Sequence, residues 1–424
     1  MYGAGRDPST THRPRATAAV HFEPMTAQPA SDEAALPRRA VARFVVRVLV
    51  ILTACWVTVG VAAAPFLPGG GWTAAAAWVL LTLVPLAAFI LTRVRRIYPG
   101  ALVRLVVFRP MWYAQFFVLL LAPPTLVAAM LGAPFGVSGA VARAVLGVEG
   151  AALVVVALAG YAGSRRLEVR RITVTHPDLP PGLDGLVVAQ ISDLHVGPHT
   201  SRRFLARVAD GVRAARPDLI AVSGDLVDDF ARDADRYAAA LASLAAPLGV
   251  FAIPGNHEVY SGWRELRGRL EALPLTLLVN RGVVVSRGAS SLVVVGTGDP
   301  AAAAGSDAAP DIGRTLADVP EGAFVLALAH NPALWPALAA RRVPLTLSGH
   351  THWGQFGFRR WGWCLASPFL ELAMGAHVRD GSVLYIHPGT NYWGIPFRIG
   401  HAAQVAVITL RHGKRAEIRD ETAD

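Results

Sequence analysis

Apolar and polar positions follow two different rules along the 424 residues of this chain. In the first half, apolar side chains come in long runs: from about Phe44 to Phe66, from Trp72 to Thr92, within the charge-free stretch Met111–Ala142, and from about Ala144 to Gly163. Each run is near the ~20 residues that carry a helix across a ~30 Å hydrocarbon core, so four membrane-spanning helices are predicted, the third ending near Gly132. From residue 172 the runs shorten. Gly185–Ile191, Leu219–Ser223 and Gly249–Ile253 read as buried strands. Between them a helical period passes through Phe204, Leu205, Val208, Val212 and Ala215, and a second helix is expected over about 231–245. Phe324–Ala329 and Leu345–Leu347 repeat the strand pattern, and this alternation predicts an α/β domain.

The expected organisation is a disordered tail over 1–37, rich in Pro, Ala, Ser and Thr, then a four-helix transmembrane region over 38–164 and an α/β domain over 165–424. Composition agrees with a chain partly in lipid. Hydrophobic residues make up 53% and charged residues only 17%, against roughly 25% charged in an ordinary soluble domain. Two distant cysteines, Cys55 and Cys364, and aperiodic glycine exclude a disulfide scaffold and a collagen.

The net charge of +10 first suggests nucleic acid, but its distribution argues otherwise. Residues 1–164 hold 13 basic against 5 acidic side chains; residues 165–424 hold 27 against 25. The excess therefore flanks the apolar runs, and no nucleic-acid partner is expected. Arg38, Arg39, Arg43 and Arg47 precede or open the first run, Arg93, Arg95, Arg96, Arg104 and Arg109 separate the second from the third, and Arg165, Arg166, Arg170 and Arg171 follow the fourth. The opposite loops carry only Arg143, so both termini and the α/β domain are expected in the cytoplasm of a multi-pass membrane protein. An export signal at Arg38-Arg39 is the competing reading, opposed by three further spans and the lack of a clear cleavage site. Glu149 is the one acid inside a span; it reads either as a functional group facing the bundle interior or, preferably, as an acid near a helix end that reaches the interface.

Candidate chemistry collects where the expected strands stop. Asp193 and His195, Asp225, Asn256 and His257, His330, and His350 and His352 each follow a strand. In α/β sheets ligand sites gather beyond the carboxyl ends of strands. Carboxylates, imidazoles and an amide, with no thiolate, suit two divalent ions such as Mn, Fe or Zn. Two such metals generate hydroxide near neutral pH and clamp the oxygens of a phosphoryl displacement.

The ordered set Asp193-Leu-His195, Gly224-Asp225-Leu-Val-Asp228, Gly255-Asn256-His257-Glu258, His330 and Gly349-His350-Thr351-His352 resembles the calcineurin-like metallophosphoesterases. Trp353-Gly354-Gln355, Pro388-Gly389-Thr390 and Pro396-Phe397-Arg398 make it similar to the membrane-associated bacterial branch typified by YkuE and YaeI proteins. The resemblance covers about residues 170–412. It implies a four-layer α/β/β/α sandwich, a first metal held by Asp193, His195 and His352, a second held by Asn256, His330 and His350, and Asp225 bridging both. It implies that His257 contacts the phosphate and protonates the leaving group while a metal-activated hydroxide attacks phosphorus. The implied activity is hydrolysis of a phosphate ester or pyrophosphate, with a lipid-linked substrate suggested by the anchor; an inactive membrane scaffold or sensor keeping the fold is the alternative. Asp228 and Glu258 are read evenly as orienters of ligands or as turn residues, and Asp299 as a turn former. His199, His377, His387 and His401 are assigned surface or packing roles. Trp353, standing where the branch commonly has glycine, is expected to narrow the mouth of the site. The aromatic segment 356–363 is read as a substrate lip, a headgroup contact or an ordinary hairpin.

Overall fold

The computed structural model describes residues 38–95, 97–197, 199–235 and 244–422. The tail expected over 1–37 lies outside them, as does most of the helix expected over 231–245, of which a single turn, Ala231–Asp233, is described at the start.

Among the described residues, four helices are long and apolar enough to cross a membrane: Leu49–Phe66, Gly71–Thr92, Ala101–Phe135 and Ser138–Ser164. Prolines shape two of them. Each of the π turns Val79–Leu83 and Arg104–Phe108 is followed within two residues by a proline, Pro85 and Pro110, whose missing N–H cannot continue the regular hydrogen-bond ladder. Gln115 of the third helix ties the bundle together. Its amide donates to Thr82 Oγ1 at 3.0 Å and accepts from Trp56 Nε1 at 3.1 Å, polar contacts that hold helices together where apolar packing gives no preference over lipid.

Two boundaries differ from expectation. The third helix starts at Ala101, ten residues before the charge-free run, so Arg104 and Arg109 are helical rather than loop residues. The fourth starts at Ser138, which makes Glu149 the twelfth of its 27 residues instead of a terminal one. Its Oε2 is buried without a hydrogen-bond partner.

The remaining chain builds two mixed sheets. The seven-stranded sheet runs, in spatial order, Glu417–Asp420, Leu167–His176, Ala403–His412, Val187–Ile191, Leu219–Val222, Val250–Ala252 and Thr276–Leu277. Its last four strands are parallel. The six-stranded sheet runs Gly375–Arg379, Ser382–Ile386, Leu345–Ser348, Val325–Leu328, Ser290–Gly296 and Arg281–Arg287, with its four central strands parallel.

Strand side chains alternate between faces, and here both faces are covered. Leu219 and Ala221 join Val188, Leu326, Leu345 and Ile408 in the core between the sheets. Ile220 and Val222 point the other way, against Leu205 and Val208 of helix Arg202–Ala215 and Leu266 of helix Trp263–Glu271. The outer face of the second sheet packs Val325 and Ala327 on Leu338 of helix Trp335–Ala340. The result is the four-layer α/β/β/α sandwich. Parallel strands in each sheet deliver their carboxyl ends to one shared rim.

That rim also receives the helical half. Arg104 is buried and donates to both carboxylate oxygens of Asp233, at 3.3 and 3.0 Å, while Tyr98 Oη donates to the same carboxylate at 2.7 Å. Arg109 donates to Tyr392 Oη at 3.1 Å, and the backbone N–H of Arg398 donates to the carbonyl of Gly160 at 2.9 Å.

Candidate metal centre

Every candidate side chain stands within a few residues of a strand end. Asp193 and His195 follow Ile191, Asp225 follows Val222, Asn256 and His257 follow Ala252, His330 follows Leu328, and His350 and His352 follow Ser348. Reaching a common centre from strands of two sheets demands sharp backbone turns. Asp193, His195, Asp225, His350 and His352 all have φ between 40° and 71°. They are five of the eleven non-glycine residues with positive φ among the described residues, and such strain persists where surrounding structure over-determines it. Gly224, at φ 91°, also clears space: a β-carbon there would lie 2.6 Å from His330 Nδ1.

The seven predicted ligands come together in two overlapping groups. In the first, His195 Nε2 and His352 Nε2 stand 2.9 Å apart, with Asp193 Oδ1 3.2 Å from His352 Nε2. In the second, Asn256 Oδ1 lies 2.7 Å from His350 Nδ1 and 3.2 Å from His330 Nε2. Asp225 Oδ2 joins them, 3.7 Å from His195 Nε2 and 3.2 Å from His330 Nε2. Asp193, His195 and His352 offer donor atoms within 4.8 Å of one another, as do Asp193, Asp225 and His330. Asp193 Oδ2 is buried with no partner.

Two carboxylates this deeply buried need nearby positive charge, because an isolated buried carboxylate is strongly disfavoured. Burial works against ionisation of Asp193, but His352 and His330 outweigh it and hold the carboxyl below the usual range. Asp225 is likewise held well below that range, chiefly by His330 and His257 against burial. His350 is pushed down to about 4 by burial and by the charge on His330. Two carboxylates, four imidazoles that lose any proton on binding a metal, and an amide oxygen form a donor set that fits divalent cations.

His257 sits beside this group, its ring 4.6 Å from that of His195. Its backbone N–H donates to Asp225 Oδ1 at 2.9 Å and its Nδ1 is hydrogen-bonded to the carbonyl of Asp228. Burial opposes its protonation, yet Asp225 and Asp228 raise it above the ordinary histidine value.

Glu258 is an orienter. Its carboxylate is fully buried and accepts from the N–H groups of Gly255, Asp225, Leu226 and Val227 at 2.7–3.1 Å, which fixes the loop carrying Asp225. Asp228 also faces the centre, 3.8 Å from His195 Nδ1 and 3.7 Å from His199 Nδ1. Asp299 forms the expected turn, accepting from the Ala301 N–H at 2.8 Å, although burial pushes its carboxyl up to about 6.

Sequence reasoning missed the depth of several residues. His387 lies fully buried behind the site, its Nδ1 accepting from the Gly389 N–H at 3.0 Å. Thr390 and Asn391 donate backbone N–H groups to the carbonyls of Ser192 and Asp193, at 2.7 and 3.1 Å, bracing the first ligand loop. His401 is buried beside Arg398, whose Nη1 lies 3.0 Å from its Nδ1. His377 keeps its packing role, with Nε2 3.0 Å from the Met374 carbonyl. Trp353 does not narrow the mouth. It is fully buried, donates from Nε1 to the Ile386 carbonyl at 3.1 Å, and packs under the Arg359 guanidinium. Segment 356–363 belongs to a short hairpin, Gly357–Phe358 paired with Trp363–Cys364.

Residues 186–354 match the model of the Calcineurin-like phosphoesterase family. The α/β half thus contains a stretch similar to the calcineurin-like phosphoesterase domain. An uncharacterized metallophosphoesterase of Helicobacter pylori is 30% identical over 227 residues, covering 53% of this chain and 60% of that one. A Bos taurus transmembrane protein with metallophosphoesterase domain is 31% identical over 55% of this chain and 54% of its own length. The uncharacterized metallophosphoesterase YkuE of Bacillus subtilis is 27% identical over 59% of this chain and 90% of its own length. The chain thus spans about three-fifths of the Helicobacter relative and about half of the bovine one. The family match ends at Gly354, so the bracing residues from His387 to His401 lie beyond it.

Proposed function

We propose that this protein is a membrane-anchored hydrolase that cleaves a phosphate-ester or pyrophosphate bond at a pair of divalent cations. The observation that carries this reading is the meeting of two ligand groups at Asp225, whose Oδ2 faces both His195 and His330. Asp193, His195 and His352 would hold one cation, Asn256, His330 and His350 the other, and Asp225 both. When bound, such a pair supplies Lewis acidity and lowers the pKa of water toward neutrality. Mn, Fe and Zn all suit the donor set.

The chain's own residues do the rest. Glu258 keeps the Asp225 loop in register through four N–H groups. His257, anchored at its backbone N–H and its Nδ1, holds a proton beside the centre for a leaving oxygen. The four apolar helices and the bovine relative's name support a membrane protein, and the arginine distribution supports four spans over 38–164 with the catalytic domain, 165–424, in the cytoplasm. Anchoring raises the effective concentration of a lipid-linked phosphate ester without any new contact.

The test is turnover of bis-p-nitrophenyl phosphate by the full chain in detergent with added Mn. Metal-dependent hydrolysis that disappears in Asp225→Asn is expected. No turnover with Mn, Fe or Zn would overturn the reading.

A further inference from the structure

Between the third apolar helix and the metal centre lies a cavity of about 310 Å³. One end is formed by the ligands His350 and His352; the walls include Trp112 and Phe116 of the helix, facing Leu370 and Ile395 of the catalytic domain. The helix wall is packed on the sheet half, with Phe116 against Phe397 at 5.3 Å and Trp112 against Trp393, which also lines the cavity, at 6.2 Å. Among the described residues, no Asp, Glu, Lys or Arg lines the space. One turn along the same helix, Leu119 and Leu120 are exposed, as expected of a surface turned to lipid. Phe369, next in sequence to the lining residue Leu370, is 82% exposed and the lining residue Trp393 45%, aromatic side chains of the kind that settle at headgroup depth.

We infer that this cavity seats the hydrocarbon part of the substrate, which makes the substrate class phosphate esters with an apolar tail, entering sideways from the bilayer. The inference rests on the hydrolase reading and deepens it. Away from the histidines, only Thr351 and Gln355 among the described lining residues bring polar side chains, and the Gln355 amide is already paired with the Trp393 backbone. A nucleotide or sugar phosphate would therefore press most of its hydroxyl groups against carbon. A tail meets no such penalty, and each methylene fully removed from water adds roughly a fourfold gain in affinity. The phosphate end then lies against the imidazoles, where hydrolysis needs it. The helical half is, on this account, a wall of the active site as well as its anchor.

The experiment uses the full chain in detergent micelles with Mn and two p-nitrophenyl phosphodiesters, one bearing a methyl and one a dodecyl group. The readout is the ratio of kcat/KM for dodecyl over methyl, which is insensitive to the fraction of folded protein. Comparison of variants with wild type in the same micelles removes simple partitioning of the long ester. The ratio is expected to exceed about tenfold in the wild type and to fall at least about fivefold in both Phe116→Ala and Leu370→Ala. A ratio that stays within about twofold of wild type in both variants overturns the tail site and leaves the hydrolase intact. Failure to hydrolyse either ester overturns both.

Discussion

The two halves of this chain spend similar apolar side chains in opposite directions. In the sheet half, Leu219, Ala221, Leu326 and Leu345 are sealed between layers with no exposure. In the helical half, Val50, Val61 and Leu131 are 63–71% exposed. Only 6% of the apolar stretch of the fourth helix is buried, and 11% of those of the first and second. A helix satisfies its own backbone and can leave apolar side chains to lipid, whereas a strand must find neighbours on both edges. The third helix breaks the rule, with 28% of its apolar stretch buried, because it reaches the rim of the sheets through the side chains of Arg104, Arg109 and Trp112, whereas the fourth meets it through the Gly160 carbonyl. The contrast teaches that the helices are not interchangeable: three face mainly outward, and one also lines the cavity beside the candidate metal centre.

The sharpest division is between the centre and everything around it. Asp225→Asn should reduce metal-dependent hydrolysis on the order of 10³-fold, since it removes charge from both ligand groups at once. Steady-state kinetics checks this, with circular dichroism to confirm folding.

The junction comes next. Arg104→Ala strands the fully buried Asp233 carboxylate, and breaking a buried pair this way should destabilise the protein by about 3 kcal/mol, measured by thermal unfolding in detergent. Asp233→Asn in the same background should recover part of the loss. No loss in Arg104→Ala would mean that the two halves are merely tethered.

Glu258→Gln tests whether the bracing loop matters to the ligands. An amide cannot accept from four N–H groups as the carboxylate does, so stability should fall by about 2 kcal/mol and metal affinity by roughly 10–100-fold. Calorimetric metal titration separates the two effects. At the small end, Trp361→Ala, at a side chain 69% exposed, should change stability by less than about 0.5 kcal/mol.

Much of this was legible before any coordinates, for identifiable reasons. Long apolar runs and strand-ending polar residues are local signals, so the four helices and the assembly of Asp193, Asp225, Asn256, His330 and His350 could be anticipated. His330, weak as a single residue, gains meaning only because it follows a strand as the others do. What escaped depends on contacts between distant segments. Arg104 reads as a flanking loop cation, yet its partner is Asp233, 129 residues away. Glu258 reads equally as an orienter or a turn acid until its four N–H donors are seen. Trp353 sits in a motif beside the ligand His352, but the left-handed backbone at φ 53° sends its ring into the protein interior rather than across the mouth.

The central claim is that Asp225 joins two cation sites into one. Elemental analysis of the purified full chain, saturated with Mn and freed of excess, tests it most directly. The account predicts about two ions per chain in the wild type and a clear loss of ions in Asp225→Asn. One ion or none in the wild type, or an unchanged pair in the variant, would contradict it.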